Sequence, residues 1–394
     1  MIEISDPAEL VARLDRGDTL TDVVLQDLSL DGLVDRLAAH DLERTYFFGC
    51  TGGAGDLERL MTRGAAIFPK LTGLPFDPYR AELYSPSELF AGFEPTDPCS
   101  YCQTPDAQIY DYWTATGGPH ADSVVHALAR RLHDHAIADA LDDFLRVDGR
   151  DRHAIAVMGG HDLPRAVDGA YAEIARLARA LTREGFLMVS GGGPGAMEAT
   201  HLGAWCADAP DDRLDAALGV LAVAPRFDDY EFVAQAFAVV AANPDVTPRP
   251  SLGIPTWLYG HEPPTIFATC IAKYFDNSAR EDGLVSVARR GIVFAPGGAG
   301  TVQELFQDAA QNSYFALGEA SPMVLLGSQF WTETLPALPL LHAIDPGARW
   351  HDIVTIVETA AEAVVALHAH EPIPSTNAPW SFCVAHCADR DLRP

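Results

Sequence analysis

Pro296-Gly297-Gly298-Ala299-Gly300-Thr301-Val302-Gln303-Glu304-Leu305 decides how the rest of the chain is read. The apolar run Gly291-Ile292-Val293-Phe294-Ala295 precedes it, and helical spacing over 301–310 follows. A strand therefore ends in a glycine-rich turn that opens a helix. Gly297, Gly298 and Gly300 let a run of backbone amides turn toward one anion, and Thr301 adds a hydroxyl at the helix start. Glu304 follows about one helical turn later and can face the same cleft; the alternative is that it only complements the helix dipole.

A second loop has the same grammar. Ser190-Gly191-Gly192-Gly193-Pro194-Gly195-Ala196-Met197 follows the apolar strand 186–189 and opens another helix, although a tight strand-to-helix turn would read the same way. A third junction, Gly159-Gly160-His161, follows the strand 154–158. Apolar runs at 218–224, 322–326 and 353–357 read as further strands, and 171–184 and 360–370 as amphipathic helices. Short apolar strands alternating with helices predict an α/β fold, a Rossmann-like parallel sheet with helices on both faces. Neither loop ends in Gly-Lys-Ser/Thr and neither is a strict GxGxxG, which disfavours a Walker nucleotidase and a nicotinamide dehydrogenase. The site is expected at the carboxyl ends of the strands, near a topological switch point.

Upstream, residues 1–150 read as a smaller N-terminal α/β region, with helices at 6–16 and 30–40, strands at 22–25, 45–49 and 65–69, and a long helix within 120–147. The charged, glycine-containing 148–152 marks the expected boundary to a catalytic domain over 151–371, and the proline-bearing 372–394 an extended tail. The chain has 394 residues, with 55 Asp+Glu against 27 Lys+Arg, a formal net charge of −28. Such a surface repels nucleic acid and anionic membranes, while backbone donors still suffice for a small phosphorylated ligand. The N-terminus lacks a basic n-region and no apolar run approaches a membrane span, so a cytoplasmic location is expected. Cys99 and Cys102 form a CxxC, and Cys383, His386 and Cys387 a second soft-ligand group. Together they can make a zinc site, or they are unrelated thiols.

The two loops resemble those of the LONELY GUY family of phosphoribohydrolases. The stretch from Pro296 to Glu304 matches that family's PGGxGTxxE at every fixed position, and Gly191 to Met197 resembles its GGGxxGxM with one residue fewer between the glycines. The resemblance covers roughly residues 153–370. It implies hydrolysis of the N-glycosidic bond of a nucleoside 5′-monophosphate, with release of a free base and ribose 5-phosphate. Gly297, Gly298, Gly300 and Thr301 would hold the 5′-phosphate, and Glu304 and Arg280 would be catalytic. Gly159, Gly160, Gly191, Gly192, Gly193, Gly195 and Met197 would line the nucleotide. No cofactor or metal is implied, and a homo-oligomer is expected. The Pro296–Glu304 loop has no lysine for a Schiff base, which disfavours a PLP-dependent decarboxylase, and Lys273 is a lone candidate that reads as an ordinary helix lysine. In the long stretch 251–264, Trp257, Tyr259 and His261 can meet a base or pack a surface loop; Gln311-Asn312-Ser313-Tyr314 can wall the cleft or an oligomer contact. The alternative function is a non-catalytic carrier or sensor of a nucleotide or an oxyanion, including a molybdenum-cofactor-type ligand, on the same fold.

Overall fold

A computed structural model describes residues 1–53, 55–147, 149–258 and 262–375. The N-terminal strands β1 (Ile2–Ile4), β2 (Val23–Gln26), β3 (Thr45–Phe48) and β4 (Ala66–Phe68) form a four-stranded parallel sheet in sequential order. Helix α1 (Pro7–Arg16) is capped by Asp6, whose carboxylate accepts from the Ala8 amide, and ends on Gly17 in the left-handed region. This unit closes its own core around Ile4, Leu10, Leu25, Phe47 and Leu60.

The larger sheet has seven parallel strands. In chain order they are β5 (Ala154–Met158), β6 (Leu187–Ser190), β7 (Ser251–Gly253), β8 (Cys270–Ile271), β9 (Ile292–Phe294), β10 (Met323–Leu326) and β11 (Val354–Val357). Their spatial order is β8-β7-β6-β5-β9-β10-β11, so the winding reverses between β5 and β9. Alternate side chains of each strand enter different cores. Ala154, Ala156 and Met158 join one cluster, and Ile155 and Val157 the other. Both faces are therefore buried, which explains why these strands read as unbroken apolar runs. Helices α4 (Gly169–Arg183), α5 (Ala196–Trp205) and α8 (Ala360–Ala369) cover one face. The opposite face receives α6 (Asn277–Ser286) and α7 (Ala299–Tyr314), together with α2 (Pro105–Ala115) and α3 (Val124–Leu145). Residues between 76 and 141 thus share a core with the large sheet.

Two local expectations need correction. The run 218–224 is not a strand: it continues the helix Asp211–Leu221, in which Leu214, Ala217, Leu218 and Leu221 are buried at helical spacing. The third strand of the half-sheet is Ser251–Gly253 instead, too short and too glycine-rich to show a period of two. Lys273 lies beyond β8 outside any helix, and its ammonium is buried against Asp106 at 2.6 Å. No helix among the described residues is long and apolar enough to cross a membrane.

Candidate functional site

The carboxyl ends of β5, β6 and β9 converge at the switch point and are stitched together through backbone. The Ala295 amide donates to Met158 O (2.8 Å), the Gly160 amide to Pro296 O (3.1 Å), and the Ala196 amide to Gly160 O (3.1 Å). A Cβ on Gly195, whose φ is +67°, would lie 2.4 Å from Gly160 O, and one on Gly297 would lie 2.1 Å from Thr301 Oγ1. These glycines are required by the approach of neighbouring backbone and sit behind the cleft wall, as does the buried Gly192. The loop is held from below by a buried relay. The Gly192 amide donates to Ser190 Oγ (3.1 Å), which lies 2.9 Å from His201 Nε2, and His201 Nδ1 lies 3.1 Å from Ser251 Oγ. Burial pushes the His201 imidazole down to about 3, so the ring stays neutral in this apolar setting. Ser190 and His201 have the chemistry of a nucleophile and base, but both are fully buried and serve the loop.

Above this floor lies a cleft of about 640 Å³, within the range of small-molecule sites. Gly159, Gly160, Gly191, Gly193, Met197, Arg280, Gly298, Gly300, Thr301 and Glu304 line it. The structure therefore brings together, on one wall or directly behind it, every residue that the two loops and the 277–282 helix nominate. The α7 N-terminus has no side-chain cap, and Gly298, Ala299 and Gly300 are exposed. A Cβ added at Gly298 or Gly300 would meet nothing within 4 Å, so the space beside these amides is open.

Arg280 spans the cleft floor. Its Nε donates to Ile254 O (2.8 Å), and Nη1 to Glu281 Oε1 (2.6 Å) and Glu304 Oε1 (3.4 Å). Its Nη2 lies where a Gly191 Cβ would be only 2.4 Å away, and it makes no hydrogen bond among the described residues. The glycine is what allows this guanidinium edge to reach the cavity. Glu304 is pushed up to about 7, chiefly by burial; Arg280 lowers it and Glu281 raises it. Burial likewise raises the Glu262 carboxyl on the same cleft.

The raised Glu304 pKa has a stability consequence. The unfolded chain releases this proton near 4.5 and the folded chain near 7, so the group favours the fold fully below about 4.5 and loses that contribution as pH rises through 7. The loss is on the order of 3 kcal/mol. Glu304→Gln is expected to match the parent chain in urea unfolding at pH 4.5 and to exceed it by about that amount at pH 8.5; an equal difference at both values would contradict this origin.

Several cleft residues were not legible. No motif singles out Glu281 or Glu262, and Phe227 sits in a turn that carries none. Of the proposed base-contacting group, Trp257 is fully buried, with its indole donating to Asp106 at 3.0 Å, and does not line the cleft. Tyr259 and His261 lie outside the described residues. Residues 311–314 are away from the cleft: Asn312 ties α7 to Ser321, and Tyr314 is exposed. Cys99 and Cys102 are exposed, whereas Cys383, His386 and Cys387 lie outside the described residues. Among the described residues no group of three or more His, Cys, Asp or Glu side chains is placed to hold a metal ion.

No protein-family model and no curated protein matches the chain. Among solved structures it is similar to the molybdenum cofactor binding protein of the phototrophic bacterium Rippkaea orientalis, at 15% identity and a TM-score of 0.36, over 55% of this chain and 96% of that one. It is also similar to the Moco carrier protein of Chlamydomonas reinhardtii, at 18% identity and a TM-score of 0.33, over 55% and 96% of the two chains. At these identities the likeness concerns the fold. The structures named here are molybdenum-cofactor proteins and not LONELY GUY phosphoribohydrolases, so the expected kinship, with the glycosidic hydrolysis and enzyme class drawn from it, is cut back to a likeness of fold. The physical reason lies in the motif. PGGxGTxxE specifies an anion cradle at a switch point, which a binding protein needs as much as a hydrolase does.

Proposed function

We propose that the chain is a non-catalytic carrier or sensor that holds a small nucleotide-like or oxyanionic ligand, of which a molybdenum-cofactor-type molecule is one example. One observation carries this reading: an exposed, uncapped helix N-terminus and a guanidinium edge without a hydrogen bond among the described residues line one cleft. Amide donors and the positive end of the helix dipole favour an anion, and Arg280 Nη2 supplies a charged donor beside them. The rest of the Arg280 guanidinium is shared between Ile254 O, Glu281 and Glu304. The described lining includes no serine, cysteine or lysine for covalent chemistry.

Binding without turnover is the expected behaviour. In equilibrium dialysis against AMP, GMP, CMP, UMP, IMP and molybdate, at least one ligand is retained saturably at micromolar concentrations. Chromatography of the same samples shows no free base. Free base accumulating beyond the amount of protein refutes the carrier, and retention of none of the six refutes the site.

A further inference from the structure

The CxxC of the sequence, Cys99-Ser100-Tyr101-Cys102, stands outside the cleft lining on a 3-10 helix over Pro98–Gln103. Such a helix has three residues per turn, so residues i and i+3 share a face and lie about 6 Å apart along the axis. Cys99 and Cys102 are therefore side by side, at a separation inside the roughly 4.4–6.8 Å over which disulfides join Cα atoms. The two residues between them are tied inward. Ser100 Oγ accepts from the Glu94 amide (2.7 Å), and Tyr101 OH donates to the buried Asp106 Oδ2 (2.8 Å). The Tyr101 ring packs on Phe90 at 5.6 Å between centroids. At the helix start the Cys99 amide donates to Asp97 Oδ1 (3.2 Å). Both cysteines are thus exposed on a backbone that is held from behind.

The other described cysteines differ. Cys50 and Cys206 are buried, and burial pushes both thiols up to about 11. Cys270 is half-buried, and burial raises its thiol as well. Thiol–disulfide exchange needs an accessible sulfur that can reach the thiolate state. Among the described residues, Cys99 and Cys102 alone combine exposure with a second thiol on the same turn.

One contact joins this pair to the cleft wall. Cys99 Sγ lies 3.8 Å from the hydroxyl of Tyr230. Tyr230 belongs to a turn closed by Asp229, whose carboxylate accepts from the Arg226 amide (2.7 Å). The same turn carries Phe227, which lines the cleft.

We propose that Cys99 and Cys102 are a redox-responsive pair, closed to an intramolecular disulfide by a low-molecular-weight disulfide, and that closure releases Tyr230. One cysteine thiolate attacks the small disulfide; a mixed disulfide forms and one small thiol leaves with a proton. The second cysteine attacks the mixed disulfide at the protein sulfur, so the Cys99–Cys102 bond forms and the second small thiol leaves. The protein loses two electrons and two protons, and the small disulfide gains them. Cys99 Sγ turns toward Cys102, gives up its proton and leaves its place beside the Tyr230 hydroxyl.

In the test, the full chain is incubated with glutathione disulfide, alkylated without reduction and digested with trypsin. No Lys or Arg lies between Arg80 and Arg130, so one peptide, 81–130, carries both cysteines. It should return two hydrogens lighter, unalkylated and free of glutathione, and dithiothreitol should reverse the change. Cys99→Ser and Cys102→Ser should each keep one glutathione on that peptide instead. Hydrogen exchange over residues 226–231 should rise at least about twofold on oxidation of the parent chain. Tyr230→Phe should show the raised exchange while still reduced. A parent peptide that stays fully reduced, or that holds glutathione without closing, overturns the pair. Closure with unchanged exchange over 226–231 overturns the link to Tyr230, as does a reduced Tyr230→Phe that exchanges like the reduced parent.

Discussion

Gly298→Asp is expected to abolish ligand binding and leave the fold as stable as before. Gly298 occupies the N-cap of α7 with φ −92° and no side-chain cap, and a Cβ there meets nothing within 4 Å. Aspartate is a preferred N-cap residue and differs from glycine there by only a few tenths of a kcal/mol. Its carboxylate would accept from the same amides that the ligand needs and place a negative charge at the positive end of the helix. A phosphate or molybdate would then meet an occupied cradle and a like charge, and like-charge juxtaposition costs several kcal/mol. Affinity should fall at least ~1,000-fold, or about 4 kcal/mol at 1.4 kcal/mol per decade. Gly298→Ala, which adds bulk without charge, should lose far less. Titration with molybdate and AMP, beside thermal melts of the three proteins, separates the outcomes. Binding within tenfold of the parent chain would move the anion away from this helix.

The second large effect concerns stability. Asp106 on α2 is fully buried; its Oδ1 accepts from Lys273 Nζ at 2.6 Å and Trp257 Nε1 at 3.0 Å, and its Oδ2 from Tyr101 OH at 2.8 Å. Asp106→Asn keeps the volume and leaves the Lys273 ammonium buried without its counter-charge. Breaking one partner of a buried pair costs about 3–5 kcal/mol, against about 0–1 kcal/mol for an exposed pair. The exposed Arg36–Asp15 pair is the internal control, and Asp15→Asn should be nearly neutral. Asp106→Asn combined with Lys273→Met should recover most of the loss, because an apolar side chain then fills the site. Urea denaturation of these variants gives the answer, and a loss below 1 kcal/mol for Asp106→Asn would show that the lysine finds solvent.

The two glycine loops were legible because their function is local. A glycine run between an apolar strand and an amphipathic helix reads as a tight strand-to-helix turn, and the structure puts Gly159, Gly191, Gly298, Gly300 and Glu304 on one cleft. The parallel sheet was legible for the same reason, since strands buried on both faces leave long apolar runs. What those turns serve was not. The same motif supports hydrolysis or carriage, and no local pattern chooses between them.

By itself, then, the sequence determined the Rossmann-like class, the strand-turn-helix junctions and the glycine-rich turn that opens α7. These follow from backbone geometry and from periodicities of two and 3.6 residues, which act over a few positions. Only the tertiary structure decided which side chains complete the cleft. Phe227 and Glu262 arrive from distant loops, and Arg280 reaches the cavity because Gly191 leaves it room. Trp257 was withdrawn from the site by Asp106, a residue 151 positions away. Contacts of that separation depend on packing between whole layers, and no local pattern records them.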